Sequence, residues 1–376
     1  MHIEITPIAP TRDQLKRYIQ FGTDLYRDNP YFVPPLIMDD INTLMPSKNP
    51  AFDHCNARSW IATRDGKPVG RITAIINNLV NERTGRKEMR FGFVDFIDDD
   101  EVVDALFETA KAWGREHGMT EIVGPMGFTD MDHEGMLTSG YDQPGTMATI
   151  YNYPYYPEQM RRMGYKEDAH WVEYRINVPT EIPEKMQRIS DIVAKKYGLK
   201  TVQFKNARHL KEHYGVALFE LINKAYDKLY GYSPLTKRQI KYYIDLYLPI
   251  LRLKNICVIV DSNDTLVGVG ISMPSMSEAL RKSRGRLFPT GWYHLLKAMY
   301  GRNDVVDLLL VAVDPAYQNK GVNSLLFTNL IPAFNSLGYR YAESNPELAD
   351  NTAVQSQWDY FEYRQHRNRA TFRAEI

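Results

Sequence analysis

Cysteine is scarce in this chain: among 376 residues there are only Cys55 and Cys257. Two thiols so far apart supply neither a disulfide framework nor a metal-ligand spacing. Cys257, inside an apolar run, reads as packing. Net charge is lacking too, with 46 basic against 46 acidic residues. That excludes a whole-molecule field of the kind that draws proteins to nucleic acid. No apolar run approaches the roughly 20 residues that span a bilayer. The opening MHIEITPIAP has neither the basic start nor the apolar centre of a secretory signal, so a cytoplasmic protein is expected. What is abundant is tyrosine, 25 residues, which points to half-buried hydroxyls or an aromatic-lined cleft. The length predicts two domains.

The densest information lies in Val305–Gly321, VVDLLLVAVDPAYQNKG. Val305–Val313 is long and apolar enough for a strand buried on both faces. After a polar loop ending at Gly321, Leu325, Leu326, Leu330, Phe334 and Leu337 recur at helical spacing. A buried strand therefore feeds a short loop that opens a helix. Free backbone N–H groups at a helix N-terminus bind phosphate. Gln318 and Lys320 add a donor and a positive charge.

The stretch Val311 to Val322, VAVDPAYQNKGV, resembles the pyrophosphate loop of the GNAT acyltransferase superfamily, whose pattern is Gln/Arg-x-x-Gly-x-Gly/Ala. The last position here is Asn323, a departure from the pattern, although Asn also caps helices well. The resemblance implies an acyl-CoA donor, acetyl-CoA or another, with no metal. Its pyrophosphate would lie on Gln318, Asn319, Lys320, Gly321, Val322 and Asn323, and its pantetheine arm along Leu310, Val311 and Val313.

The element order repeats. In the second half a strand Lys200–Phe204, a helix Leu210–Leu229 and a hairpin (Ile256–Val260 with Leu266–Met273) precede the buried strand. The loop, the helix stopped by Gly338, and a strand Tyr339–Glu343 follow. In the first half, Ile3–Thr6, Gln14–Tyr26, Trp60–Thr63, Val69–Ile76, Met89–Ile97, Glu101–His117 and Glu121–Val123 follow the same order. The reading is an α/β (α+β) protein of two tandem GNAT-like units, each a mixed twisted sheet flanked by helices. The boundaries are 1–178 for the first unit, 179–198 for a linker helix, and 199–376 for the second, which carries an insert at 274–304. The first unit's helix opens with Asp98, Asp99, Asp100 and Glu101. These suit the helix dipole but would repel a pyrophosphate.

Direct attack of an amine on a bound thioester needs a polarised carbonyl, a proton acceptor and an acid for the departing thiolate. By resemblance, Glu343, Asn345 and Asn351 stand where family members face the cofactor arm. Glu343 is the leading base, with the capping of its turn as the structural reading beside it. Asp307, a charge in a buried run, is a second base. Tyr360 is the chosen acid, beside Trp358, Phe361 and Tyr363, whose ordinary aromatic packing is the competing reading. The loop Gly124–Gly135 gathers Asp130, Asp132, His133 and Glu134. It reads first as polar structure, then as acceptor recognition, and last as a metal site. The insert 275–302 carries Arg281, Lys282, Arg284, Arg286, Lys297 and Arg302 with many aromatics. It reads as a helical cover, or as a lid over a long acyl chain, or as a dock for a membrane surface or acyl carrier. The tail with Arg364, Arg367, Arg369 and Arg373 reads as a last strand with one wet face.

The function expected is N-acyl transfer, of acetyl first, to a small-molecule or peptide amine by a monomer or homodimer without nucleic acid. The alternatives are long-chain acyl or aminoacyl transfer on a related tandem fold, or non-catalytic acyl-CoA binding.

Overall fold

The structure, a computed structural model, describes residues 2–376. In chain order the strands are β1 Ile3–Ile8, β2 Cys55–Arg64, β3 Lys67–Asn77, β4 Glu88–Phe96, β5 Glu121–Gly124, β6 Met136–Ser139 and β7 Lys166–Asn177. They continue as β8 Lys200–Thr201, β9 Ile256–Val260, β10 Leu266–Pro274, β11 Val305–Val313, β12 Tyr341–Ser344, β13 Glu347–Leu348 and β14 Tyr363–Glu375. The helices are α1 Arg12–Leu25, α2 Ile37–Thr43, α3 Asn78–Thr84, α4 Asp100–Glu116, α5 Tyr155–Arg162 and α6 Glu184–Tyr197. After them come α7 Ala207–Tyr226, α8 Lys237–Tyr247, α9 Ser277–Ser283, α10 Gly291–Tyr300, α11 Asn323–Leu337 and α12 Thr352–Gln355.

These elements form two compact units. One comprises the chain up to Val172 with Met276–Leu295 and His366–Ile376; the other comprises Glu173–Ser275 and Leu296–Gln365. The units are therefore not consecutive halves. The last strand is bound into the first unit by its pairing with β5 and β6, and α6 falls in the second.

In the first unit the strand order is β1-β2-β3-β4-β5-β14, with β6 also on β14. Every described pairing is antiparallel except β4 with β5. The apolar stripe of α4 (Val102, Val103, Leu106, Phe107, Ala110) closes a core with Ile72, Ala74, Phe91 and Phe96. A separate cluster joins Leu15, Tyr18 and Ile19 of α1 to Ile41, Ile75 and Phe128. The tail departs from its expected wet face. Arg367 and Arg369 are each only 1% exposed. Their guanidinium groups donate to the carbonyls of Pro144, Gly135 and Ile150, which offsets part of the cost of burying a charge.

In the second unit the order is β7-β12-β11-β10-β9-β8, with β13 on β7. The parallel pair is again the fourth and fifth strands in the succession, β11 with β12. Leu325, Leu326, Leu330, Ile331 and Phe334 of α11 are buried, and the helix stops at Gly338, whose φ of +82° suits glycine. Hairpin, fourth strand, helix and parallel fifth strand thus occur twice. In each copy the register between hairpin and fourth strand slips by one residue, between Arg71 and Thr73 in the first and between Ile271 and Ser272 in the second.

Candidate functional site

Parallel pairing between β11 and β12 runs only from Val305–Leu308 against Tyr341–Ser344. The last rungs come from Asn345, whose backbone N–H donates to Leu308 O at 3.2 Å and whose Nδ2 donates to Leu309 O at 2.6 Å. Beyond Leu309 the two strands part, while Leu310–Val313 stay paired with β10 on their other side. The register slip in that pairing bends β11 away. Leu308–Val311 are half-buried, whereas Val306 and Asp307 are fully buried. A splayed strand with free backbone groups can hold an extended amide-bearing chain as another strand would. Tyr226, the last residue of α7, donates its hydroxyl to Val311 O at 2.9 Å and so steadies the splayed part.

The strand runs into the loop through Asp314, whose carboxylate accepts from Ala316 N at 2.8 Å and pairs with Lys224 Nζ at 2.7 Å. Asn319 and Gly321 then take positive φ, +57° and +78°. A side chain at Gly321 would also crowd Ile189, 3.0 Å from the added Cβ. With this backbone the amides of Asn319 to Asn323 donate to no described residue, and the first turn of α11 holds no acid. Such a nest suits a pyrophosphate. Lys320 Nζ lies over the Tyr197 and Tyr317 rings at 5.3 and 5.6 Å from their centroids. Gln318 turns back, donating Nε2 to Val313 O at 3.0 Å. Asn323 does not cap the helix. Val322 is the N-cap residue, and Asn323 donates Nδ2 to Gln357 Oε1 at 3.3 Å.

Register aligns Asp307, Glu343 and Arg175 across β11, β12 and β7, so their side chains share one face. Asp307 is 1% and Glu343 6% exposed, and Arg175 Nη1 lies 3.2 Å from Glu343 Oε1. Asn351 caps α12, its Oδ1 accepting from Val354 N at 3.4 Å. The helix α12 ends at Gln355, and Ser356–Tyr360 continues as a 3-10 turn. Tyr360 there faces Lys185, whose Nζ is 5.2 Å from the ring centroid. No hydrogen bond joins Tyr360 to Asp307 or Glu343.

One carboxylate escaped the sequence reading. Glu347, just past the splay on β13, accepts from Trp358 Nε1 at 3.0 and 3.2 Å. Burial pushes its carboxyl up to about 7, with the indole hydrogen bond opposing. The signal was available in Trp358, a tryptophan whose buried N–H requires an acceptor.

The corresponding places in the first unit are occupied by the chain itself. Parallel pairing of β4 with β5 covers Glu88–Arg90. Past it, Met126 N donates to Phe91 O at 2.8 Å and Arg90 Nη1 to Gly127 O at 3.2 Å. Asp99 caps α4 and is held by both Nη atoms of Arg64 at 2.8 and 2.9 Å. Gln159 and Arg162 engage Asp98, Asp100 and Asp104. In the Gly124–Gly135 loop, Asp132 Oδ2 accepts from Phe128 N and Thr129 N at 2.8 and 3.0 Å. His133 Nε2 meets Met147 O at 2.9 Å. Burial pushes Asp132 up to about 6 and Glu134 up to about 8. Among the described residues no cluster of His, Cys, Asp or Glu is placed to hold a metal ion.

No family model matches the chain. It is 30% identical over 289 residues to Protein YghO of Escherichia coli, covering 76% of this chain and 72% of that protein. It is 29% identical over 299 residues to the bacterial ceramide synthase of Caulobacter vibrioides, covering 78% and 76%. Among solved structures, a tandem GNAT protein from the clavulanic acid biosynthesis pathway superposes with a TM-score of 0.59 at 14% identity, over 100% of this chain and 98% of that one. A GCN5-related glucosamine N-acetyltransferase region of a fungal multi-domain β-N-acetylglucosaminidase gives 0.54 at 12% identity, over 99% of this chain and 38% of that one.

Proposed function

We propose that this chain, which belongs to the family of Protein YghO of Escherichia coli and has the fold of a tandem GNAT protein, transfers a long-chain acyl group from acyl-CoA to the amine of a lipid amino alcohol. The splayed β11, ending in the unengaged amides of Asn319 to Asn323, is the observation that carries this reading. It offers the right groups in the right order for a donor of this kind: backbone partners for an extended arm, then a nest for a pyrophosphate. The similarity to a ceramide synthase supports the long-chain class over acetyl, because a ceramide is the amide of a fatty acid with a long-chain amino alcohol.

In this reading a backbone N–H of β11 polarises the thioester carbonyl. Glu347 takes the amine's proton, directly or through water, because a carboxyl near 7 is matched to that task. Glu343, one oxygen of which is bound by Arg175, positions the acceptor. The amine forms the new C–N bond, the C–S bond breaks, and coenzyme A leaves as the thiol after gaining a proton. No covalent enzyme intermediate is required, and none of the chain's segments has a nucleophile elbow.

Incubating the purified protein with palmitoyl-CoA or acetyl-CoA, each with sphinganine or a short amino alcohol, tests this. Mass spectrometry of the amide and thiol release are read together. The expected result is amide formation with palmitoyl-CoA and sphinganine well above the other three pairs. Amide formation with acetyl-CoA alone, or thiol release without amide, contradicts the reading.

A further inference from the structure

Large apolar side chains on the surface are concentrated in one short segment. Phe288 is 72% exposed, Trp292 47%, Tyr293 54%, Leu296 51% and Tyr300 63%. At about 100° per residue, Trp292, Leu296, Tyr300 and Tyr293 fall within a quarter to a third of the circumference of α10. Met299, by contrast, is buried. Scattered surface apolar residues need no explanation, but a contiguous aromatic stripe does. Lys297 lies on the edge of the stripe and Arg302 just past its end.

Immediately before the stripe in the chain, Arg281, Lys282, Arg284 and Arg286 line a cavity of about 460 Å³ with Arg27. Arg27 pairs with Asp24 and Lys282 with Glu278, two acids that also line the cavity, whereas Arg281 and Arg284 form no ion pair among the described residues, and neither does Lys297 on the helix beyond. Thr23, which lines the same cavity, is 7% exposed and its hydroxyl has no partner among them. Cationic groups left unpaired around a cavity of ligand size mark a place for an anion.

We propose that the segment from Arg281 to Arg302 docks the protein on an anionic phospholipid bilayer. The stripe of α10 lies in the interface with its aromatics at headgroup depth, and the Arg281–Arg286 cavity receives a headgroup phosphate. The residue types fit. Trp and Tyr favour the membrane–water boundary, while flanking Lys and Arg favour an anionic surface. The helix has 10 residues, and no described helix is long and apolar enough to cross a membrane. The segment therefore rests on the surface. This inference stands on exposure and charge, and does not depend on which amine is acylated.

Flotation of the full-length protein with vesicles tests it, comparing pure phosphatidylcholine with a phosphatidylcholine–phosphatidylglycerol mixture. Tryptophan emission is recorded alongside. Trp60, Trp113, Trp171 and Trp358 are all buried, so a vesicle-induced blue shift reports Trp292. The expected result is flotation with the anionic vesicles, weakened by salt, together with the blue shift. The variant W292A/L296A/Y300A, all at exposed positions, should melt as the parent does and lose at least about tenfold in vesicle affinity. R281Q/R284Q/K297Q should lose the preference for anionic vesicles, by roughly fivefold per charge. Flotation without a change in Trp emission, equal flotation of the apolar variant, or binding of inorganic phosphate with no flotation would each overturn the proposal.

Discussion

The two units carry the same strand succession and each slips its register by one residue beside the fourth strand, yet they treat the opening beside that strand in opposite ways. In the first, β4 is buried along its length except at Phe93, because the segment from Gly124 lies on it. Gly92 exists there for room: a Cβ would collide with the carbonyl of Met126. In the second, Leu308–Val311 remain half-buried, and the described pairing with β12 ends at Leu308, short of Leu310–Val313. The helix starts differ in the same sense. Asp99 caps α4 with its own carboxylate and is neutralised by Arg64, whereas Asn319 to Asn323 leave their amides unengaged. On the proposed reading, one fold serves as a scaffold in one unit and as a binding site in the other, depending on whether a short loop and a few side chains satisfy the backbone internally.

The largest effect is expected at Gly321. Gly321→Val forces a β-branched residue into positive φ, a strain of about 1–3 kcal/mol, and crowds Ile189. Calorimetry should show palmitoyl-CoA affinity reduced by about a hundredfold or more, since several charge-assisted hydrogen bonds are lost together. The matching change in the first unit, Asp99→Gly, should leave that affinity unchanged. Next comes Glu347→Gln, expected to lower kcat by about 10²–10⁴ with little change in KM. Because the base must be deprotonated, the parent rate should rise with pH through about 7, and the variant's profile should be flat there. Glu343→Gln should act mainly on KM.

Smaller effects separate structure from function. Gly92→Val should lower thermal stability by roughly 1–3 kcal/mol through overpacking, with acyl-CoA affinity of the folded protein intact. A drop in affinity without a drop in melting temperature would mean that the first opening is also a site. Glu134 gives the smallest change. Its carboxyl is raised from 4.5 to about 8 in the fold, so between those values the folded state binds the extra proton. Stability therefore falls as pH rises through that window. Glu134→Gln should flatten the fall, as read from denaturant midpoints across that window.

Much of this was legible in the sequence. The apolar run Val305–Val313 and the helical spacing after Gly321 mark strand, loop and helix because each element's period is set locally. The acidic start of α4 was equally plain. Other features depend on partners distant in sequence. Nothing local shows that Arg367 and Arg369 are buried, because their acceptors are carbonyls of residues 135, 144 and 150. Asn323 looked like a cap, but Val322 takes that position and the side chain turns to Gln357. In the sequence Trp358 reads as packing beside Tyr360, and its indole's bond to Glu347 exists only because the 3-10 turn brings the two together. The row of Asp307, Glu343 and Arg175 exists only through register across three strands.

Hydrogen exchange of the full-length protein, with and without palmitoyl-CoA, tests the contrast between the two units most directly. The account predicts slowed exchange at the amides of Asn319 to Asn323 and along Leu310–Val313, with Phe91–Phe96 and Asp98–Glu101 unchanged. Protection at Phe91–Glu101, with Asn319–Asn323 unaffected, would contradict it and place the donor in the first unit.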